Sequence, residues 1–217
     1  MGSLLMVRHG QASAGTDDYD RLSPLGWQQA EWLGHWMQSH GTPIDRVVRG
    51  SLRRHRETAE GIAKVFPLPQ VEEDPRVNEL NYDVLLEAYI AATGDPEPED
   101  RMQFLDFFPK MFEAWSEDHF EGLAEPFSYF TGRVAAGVKA ALVEDKTTLV
   151  VTSGGVIGVT LGAALGLPPR QMAELLLDIH NASIHRLNWE GGRFRVAMFN
   201  AVPHLSHRER AHALTYI

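Results

Sequence analysis

The chain has 217 residues, a formal net charge of −9 and no cysteine. Disulfides and cysteine-ligated zinc are excluded, a reducing compartment fits, and with no Lys/Arg block neither nucleic acid nor a polybasic membrane surface is expected as a partner. The hydrophobic fraction of 44% supports a sizeable core, and no apolar run reaches the roughly 18 residues of a membrane span. The start, MGSLLMVRHG, lacks a basic segment and a long apolar stretch, so no secretory signal and a cytoplasmic location are expected.

Leu4 to Val7 is a short apolar run ending abruptly at Arg8-His9-Gly10, which predicts a buried strand running into a loop. The stretch 11–22 is polar and loop-like. Ser23-Pro24 predicts an N-cap and a first helical proline, with Leu25, Ala30, Leu33 and Met37 at helical spacing before Gly41. Ile44 to Val48 reads as a second strand. Leu52 to Phe66 reads as a helix with Leu52, Ala59, Ile62, Ala63 and Phe66 on one side.

An acidic, proline-bearing segment, 93-TGDPEPEDR-101, opens the middle of the chain. Leu105, Phe108, Met111, Phe112 and Trp115 follow at helical spacing, with Pro109 expected to break or kink the helix. Two readings stand for this segment: a helical cap packed on a sheet, or a lid whose aromatic residues line a pocket. Alternation then resumes. Helices are predicted over 127–143, 156–165 and 168–179, strands over 147–152, 183–189 and 193–199, the last two paired around 190-EGG-192. Strands alternating with helices imply an α/β sheet with helices on both faces, and ligands of such sheets bind beyond the carboxyl ends of strands. Arg8-His9 and Ser153-Gly154 are both predicted at such ends.

A second arginine-rich segment, 51-SLRRHRETAE-60, places Arg53, Arg54 and Arg56 at the start of a helix. Cations there oppose the helix dipole, and an anion would relieve them, since free amides and guanidinium groups both suit phosphate. A solvated basic face is the other reading. The segment 204-HLSHRERAH-212 could suggest a metal site through His204 and His207, but it has no carboxylate cluster, so a polar segment with a structural hydrogen bond at His204 is expected instead. No metal and no cofactor is expected.

Taken together, 5-LMVRHGQAS-13, 22-LSPLGWQQA-30, 51-SLRRHRETAE-60, 76-RVNELNYD-83, 149-LVVTSGGVIG-158 and 200-NAVPHL-205 resemble the histidine phosphatase superfamily, which includes the phosphoglycerate mutases. The resemblance runs from about residue 4 to about residue 205 and is weakest between 85 and 125. It implies a single domain over 1–217 with a mostly parallel central sheet and a helical cap at about 84–125. It also implies roles. His9 matches the nucleophile that becomes phosphorylated, Arg8 and Arg54 the clamp on the phosphoryl oxygens, and Glu79 the acid that protonates the leaving group. A covalent phosphohistidine splits one hard displacement into two, and positioned cations stabilise the charge of the transferring group.

In that family the turn at 153 usually carries a histidine that binds the phosphoryl group, and here Ser153 stands in its place. A serine hydroxyl donates one neutral hydrogen bond and carries no charge. Losing a transition-state donor costs on the order of 10²–10³ in rate. The backbone of Gly154 and Gly155 is expected to offer amides to an oxyanion still. The enzyme is therefore expected to be slowed or of altered specificity, unless another group substitutes: His180 first, then Arg53 or Arg56. The substrate is expected to be a phosphorylated small molecule or phosphoprotein. Acidic residues after Glu79 favour hydrolysis over a mutase, which must retain a doubly phosphorylated sugar acid. The reading from another class is a non-catalytic phosphate-binding or protein-interaction relative.

Overall fold

The computed structural model describes residues 2–13, 19–120 and 122–216. In chain order its elements are β1 (Gly2–Arg8), α1 (Pro24–Ser39), β2 (Arg46–Arg49), α2 (Arg53–Ala63), β3 (Val71–Glu73), α3 (Tyr82–Thr93), α4 (Arg101–Ser116), α5 (Phe127–Ala141), β4 (Thr147–Thr152), α6 (Gly154–Leu165), α7 (Pro169–Leu177), β5 (Ile184–Glu190) and β6 (Arg193–Ala201). Part of the loop read over 11–22 falls on residues 14–18, outside the described residues. The Ser23 hydroxyl caps α1 by accepting from the Gly26 amide at 3.0 Å.

One six-stranded sheet runs in the order β3-β2-β4-β1-β5-β6. β3, β2, β4 and β1 are mutually parallel, β5 opposes β1, and β6 opposes β5 and so returns to the common direction. The sheet is mostly parallel, as expected. β4 lies near its middle and is buried along its whole length, which is why TTLVVT reads as a continuous run rather than an alternating one.

Helices cover both faces, and the strands sort their side chains between them with period two. Leu4 and Met6 of β1, Val48 of β2 and Val150 of β4 join the cluster built with α3 to α7. Leu5, Val7, Val47, Leu149 and Val151 join Ala30, Leu33 and Met37 of α1 and Ala59 and Ile62 of α2. The aromatic middle segment packs chiefly into the core. Phe108, Phe112 and Trp115 are buried in the core, with the Phe112 and Trp115 rings 5.5 Å apart, while Phe104 and Leu105 line a cavity.

Two expectations fail. Pro109 sits inside α4, yet the helix runs on to Ser116. A mid-helix proline costs about 3 kcal/mol, and burying one large apolar side chain returns roughly 1.5–3 kcal/mol. Phe107, Phe108, Met111 and Phe112 around Pro109 are all buried, so packing outweighs the lost amide. β3 was not foreseen. Its three residues are all exposed, so no alternation marks it, and ion pairs tie it to β2 instead: Arg46–Glu72 at 2.7 Å and Arg49–Glu73 at 2.9 Å. No helix among the described residues is long and apolar enough to cross a membrane.

Candidate active site

The parallel register gathers the site. Arg8 pairs with Thr152 across β1 and β4, and the His9 amide donates to the Thr152 carbonyl at 2.9 Å. His9 and Ser153 therefore leave adjacent strands side by side. On the other flank of β4, Arg49 pairs with Val151, and four residues later α2 begins, with Arg54 and His55 in its first turn. Beyond β3 the chain turns at Pro75–Val77 and delivers Glu79; the Thr152 hydroxyl pins this turn by donating to the Val77 carbonyl at 2.6 Å. Four strand ends thus feed one crevice.

His9 is buried, and its Nδ1 lies 2.7 Å from the Gly10 carbonyl. A carbonyl can only accept, so Nδ1 carries the proton and Nε2 keeps its lone pair. Burial first, then Arg54, Arg8 and His55, hold the imidazole well below its usual range, so the ring is neutral near pH 7.

Arg54 is the buried one of the three arginines that open α2. Arg53 pairs with Glu57 at 2.6 Å, and Arg56 reaches out to Glu60 at 3.6 Å. Asp20, which the sequence reading passed over, steadies this helix end. One of its oxygens accepts from the Arg53 amide at 2.8 Å and the other from Arg54 Nη1 at 2.6 Å. Arg8 Nη1 donates to the Ile179 carbonyl. The Nε groups of Arg8 and Arg54 are buried and find no hydrogen-bond partner among the described residues. Burial lowers the pKa of Arg8, and Glu79 opposes that shift. Arg8, Arg54 and Glu79 line one cavity of about 670 Å³. Its outer wall includes Tyr19, Tyr82, Phe104, Leu177 and Tyr216, with Arg101 as the further cation.

The Glu79 carboxylate is held by two amides, Gly155 N on one oxygen and Leu80 N on the other, both at 3.0 Å. Glycine at 155 lets the carboxylate sit this close, since a Cβ there would stand 2.1 Å from Glu79 Oε1 and displace it. The expectation that the Gly155 amide serves an oxyanion is thus corrected: it serves Glu79. Gly154 faces the Arg8 guanidinium, which would lie 3.7 Å from a Cβ at that position.

Ser153 is fully buried, and its Oγ lies 2.6 Å from Nε2 of His55, equally buried. The sequence reading missed His55. A signal was present, for position 55 falls three residues after Leu52 and four before Ala59, on the face already read as apolar. Placed instead among RRHR, it passed for part of a basic surface. His180 packs on Tyr216, a residue of the cavity wall, with ring centroids 4.4 Å apart, and its Nδ1 is buried without a hydrogen-bond partner among the described residues. His204 is buried with neither ring nitrogen bonded among the described residues, where the expected structural hydrogen bond is not found, and burial lowers its pKa to about 3. Among the described residues no three metal-ligating side chains gather.

Comparison with known proteins places the family and the fold. A family model described as the histidine phosphatase superfamily (branch 1) matches residues 4–202. The Proteus mirabilis protein named "Probable phosphoglycerate mutase GpmB" is 29% identical over 199 residues, covering 88% of this chain and 86% of its own. The Xenopus laevis mitochondrial serine/threonine-protein phosphatase PGAM5 is 29% identical over 183 residues, 83% of this chain and 58% of its own length. Among solved structures, mycobacterial glucosyl-3-phosphoglycerate phosphatase in complex with inorganic phosphate superposes with a TM-score of 0.63 at 25% identity, covering 95% of this chain and all of the other. Phosphoglycerate mutase from Bacillus anthracis shares the fold, with a TM-score of 0.69 at 19% identity over 93% of this chain and 94% of its own.

Proposed function

This chain belongs to the histidine phosphatase superfamily, and from that premise we propose that it hydrolyses phosphate monoesters through a phosphohistidine formed on His9. One observation carries the reading: the buried Nε donors of Arg8 and Arg54, unpartnered among the described residues, flank a neutral imidazole. A buried donor without an acceptor costs about 1–3 kcal/mol, more when charged. A tetrahedral dianion bound beside His9 would accept from both.

The chemistry follows from the hydrogen bonds. Nε2 of His9 attacks phosphorus in line, and the P–N bond forms as the bond to the ester oxygen breaks. Positive charge developing on the ring is met by the Gly10 carbonyl at Nδ1. Glu79 gives its proton to the departing alkoxide. As a carboxylate it then takes a proton from water, whose oxygen displaces His9 and releases inorganic phosphate. Arg8 and Arg54 neutralise the equatorial oxygens in both steps.

A hydrolase fits the cavity better than a mutase. Beyond Arg8 and Arg54 its wall adds Arg101 as a cation, against Asp83 and Glu79, with aromatic and leucine side chains between them. A substrate with one phosphoryl group and an apolar or aromatic body suits that wall. Such a group could belong to a small molecule or to a phosphoprotein. The relatives named as phosphatases support hydrolysis, one of them bound to phosphate. The absence of cysteine suits a cytoplasmic location.

The test is trapping with ³²P-labelled phosphomonoesters. Label should appear on the wild-type chain in an acid-labile, alkali-stable form and vanish in His9→Ala together with turnover. Equal turnover in His9→Ala, or label on a different residue, would remove the proposal. Robust phosphate transfer between glycerate positions would replace hydrolysis by mutase activity.

A further inference from the structure

The turn after β4 carries a serine where the family resemblance places an imidazole, yet an imidazole is close by. It comes from α2: His55 Nε2 lies 2.6 Å from Ser153 Oγ, and the His55 ring centroid lies 5.8 Å from that of His9. We propose that His55 is a positioning residue that donates to Ser153 Oγ and so turns the Ser153 hydroxyl proton onto the phosphoryl group held at His9. The inference rests on the hydrolase reading above and deepens it.

The direction of the hydrogen bond decides the matter. If Nε2 carries the proton, it donates to Ser153 Oγ. The hydroxyl hydrogen is then free for another acceptor, and Nδ1 is a bare lone pair. If Nδ1 carries the proton, Ser153 must donate to Nε2. Ser153 then turns only lone pairs toward a dianion, and Nδ1–H becomes a buried donor with no partner among the described residues. The surroundings of Nδ1 disfavour that second state. A Cβ at Gly50 would stand 2.2 Å from Nδ1 and 2.6 Å from Asn78 Oδ1, so this nitrogen is pressed against the Gly50 backbone carbon, while the neighbouring Asn78 side-chain carbonyl accepts from the Ser51 amide at 2.8 Å and makes no hydrogen bond to Nδ1. Orphaned buried N–H groups are rarer than under-used acceptors, and the first state leaves only an under-used acceptor. Gly50 is also what makes room for the ring.

Ser153 could be taken for a nucleophile with His55 as its base. That role needs the second state, and it needs a third group to hold Nδ1–H, as hydrolase triads have. No such group is present among the described residues. Burial, with Arg54 and Arg49 nearby, further weakens His55 as a base. The pair is a donor relay built from two side chains.

The tautomer can be read without any substitution. Two-bond ¹⁵N–¹H correlation spectra of the wild-type chain should show His55 protonated at Nε2 at pH 7, and protonation at Nδ1 would overturn the inference. Kinetics give the second arm. His55→Leu, which keeps bulk but no donor, should lower kcat on the order of 10²-fold, with a smaller change in KM. His55→Gln, which keeps an N–H at similar reach, should recover most of the loss. Ser153→Ala should match His55→Leu, and the double variant should be no worse than either alone. A packing role predicts the reverse order, with leucine tolerated at least as well as glutamine, and would overturn the proposal, as would losses that multiply. Phosphoenzyme on His9 separates the two ideas. Label on His9 with an indifferent His55 defeats only this inference, whereas no label on His9 in wild type defeats the hydrolase reading itself.

Discussion

At the scale of single residues, Gly155 shows how little room the site leaves. Its amide holds Glu79 Oε2, and a Cβ would collide with Oε1 at 2.1 Å and crowd the Leu80 side chain at 3.1 Å. Gly155→Ala should therefore push the acid away from the leaving oxygen while sparing the arginines. General acid–base help is worth about 10²–10⁴-fold, so kcat on an alkyl phosphate should fall by about that range. A p-nitrophenyl ester, whose leaving group needs no proton, should lose much less in the phosphorylation step. Single-turnover rates on both esters check this, and equal losses on the two would mean Glu79 does not act on the leaving group. His9, Arg8, Arg54, Glu79 and Ser153 were nameable through the family resemblance, because each motif that carries it holds its own residue at a fixed place; Glu79 without the resemblance is one acid among many. His55 and Asp20 were not, because their roles are relational. His55 acquires meaning only from a serine 98 positions away, and Asp20 only from a helix end more than thirty residues on.

At the scale of elements, the segment bearing Glu79 has little regular structure of its own, and α5 holds it from outside. Arg133 donates to the carbonyls of Arg76 at 3.0 Å, Asn78 at 2.7 Å and Glu79 at 3.3 Å, while Glu125 pairs with its Nε at 2.6 Å. One guanidinium thus replaces the ladder that a strand would supply, using its fixed fork of donors. Arg133→Met keeps the stem and removes the fork. Three carbonyls lose a donor, so stability should drop by roughly 1–3 kcal/mol. Turnover should drop about tenfold or more, since small displacements of a catalytic group are costly. Denaturation midpoints together with kcat on one ester test this, and an unchanged kcat would show that the Thr152 contact and the Gly155 and Leu80 amides position Glu79 without Arg133. Apart from α3, read only as part of a helical cap at about 84–125, the periodic elements were legible to within a few residues because burial enforces their pattern. β3, fully exposed, and the passage of α4 through Pro109 were not, since edge pairing decides the first and aromatic packing the second.

At the scale of the whole molecule, the sheet order brings distant motifs to one edge and also buries several imidazoles away from water. His9, His55, His185 and His204 all have pKa values below the ordinary histidine value, with burial the leading cause in each case. His185 and His204 are each lowered to about 3. In the unfolded chain the same rings titrate near 6.5. As pH falls below that value the unfolded state binds protons that the native state refuses, so stability is full above about pH 6.5 and drains away toward the folded values. One histidine costs about 1.4 kcal/mol per pH unit in that window, so His185 and His204, both held near 3, together cost roughly 3 kcal/mol per unit, and His9 and His55 act in the same direction. Over two pH units that reaches the lower end of the roughly 5–15 kcal/mol that typically holds a domain folded. Paired carboxylates such as Asp45 and Glu72 do not share the window, because their unfolded values are 3.8 and 4.5 and their contribution is lost only below these. The urea midpoint should accordingly be steady from pH 8 to 7 and fall between 6 and 5, with an uptake on unfolding at pH 5 of about two protons from His185 and His204 and more from His9 and His55. His204 isolates one of them. Neither of its ring nitrogens makes a bond among the described residues, so His204→Leu should change little at pH 7.5 and should stabilise relative to wild type by about 1 kcal/mol at pH 5.5. A midpoint that stays level down to pH 5, or a leucine variant that gains nothing on acidification, would mean these rings take up protons without unfolding.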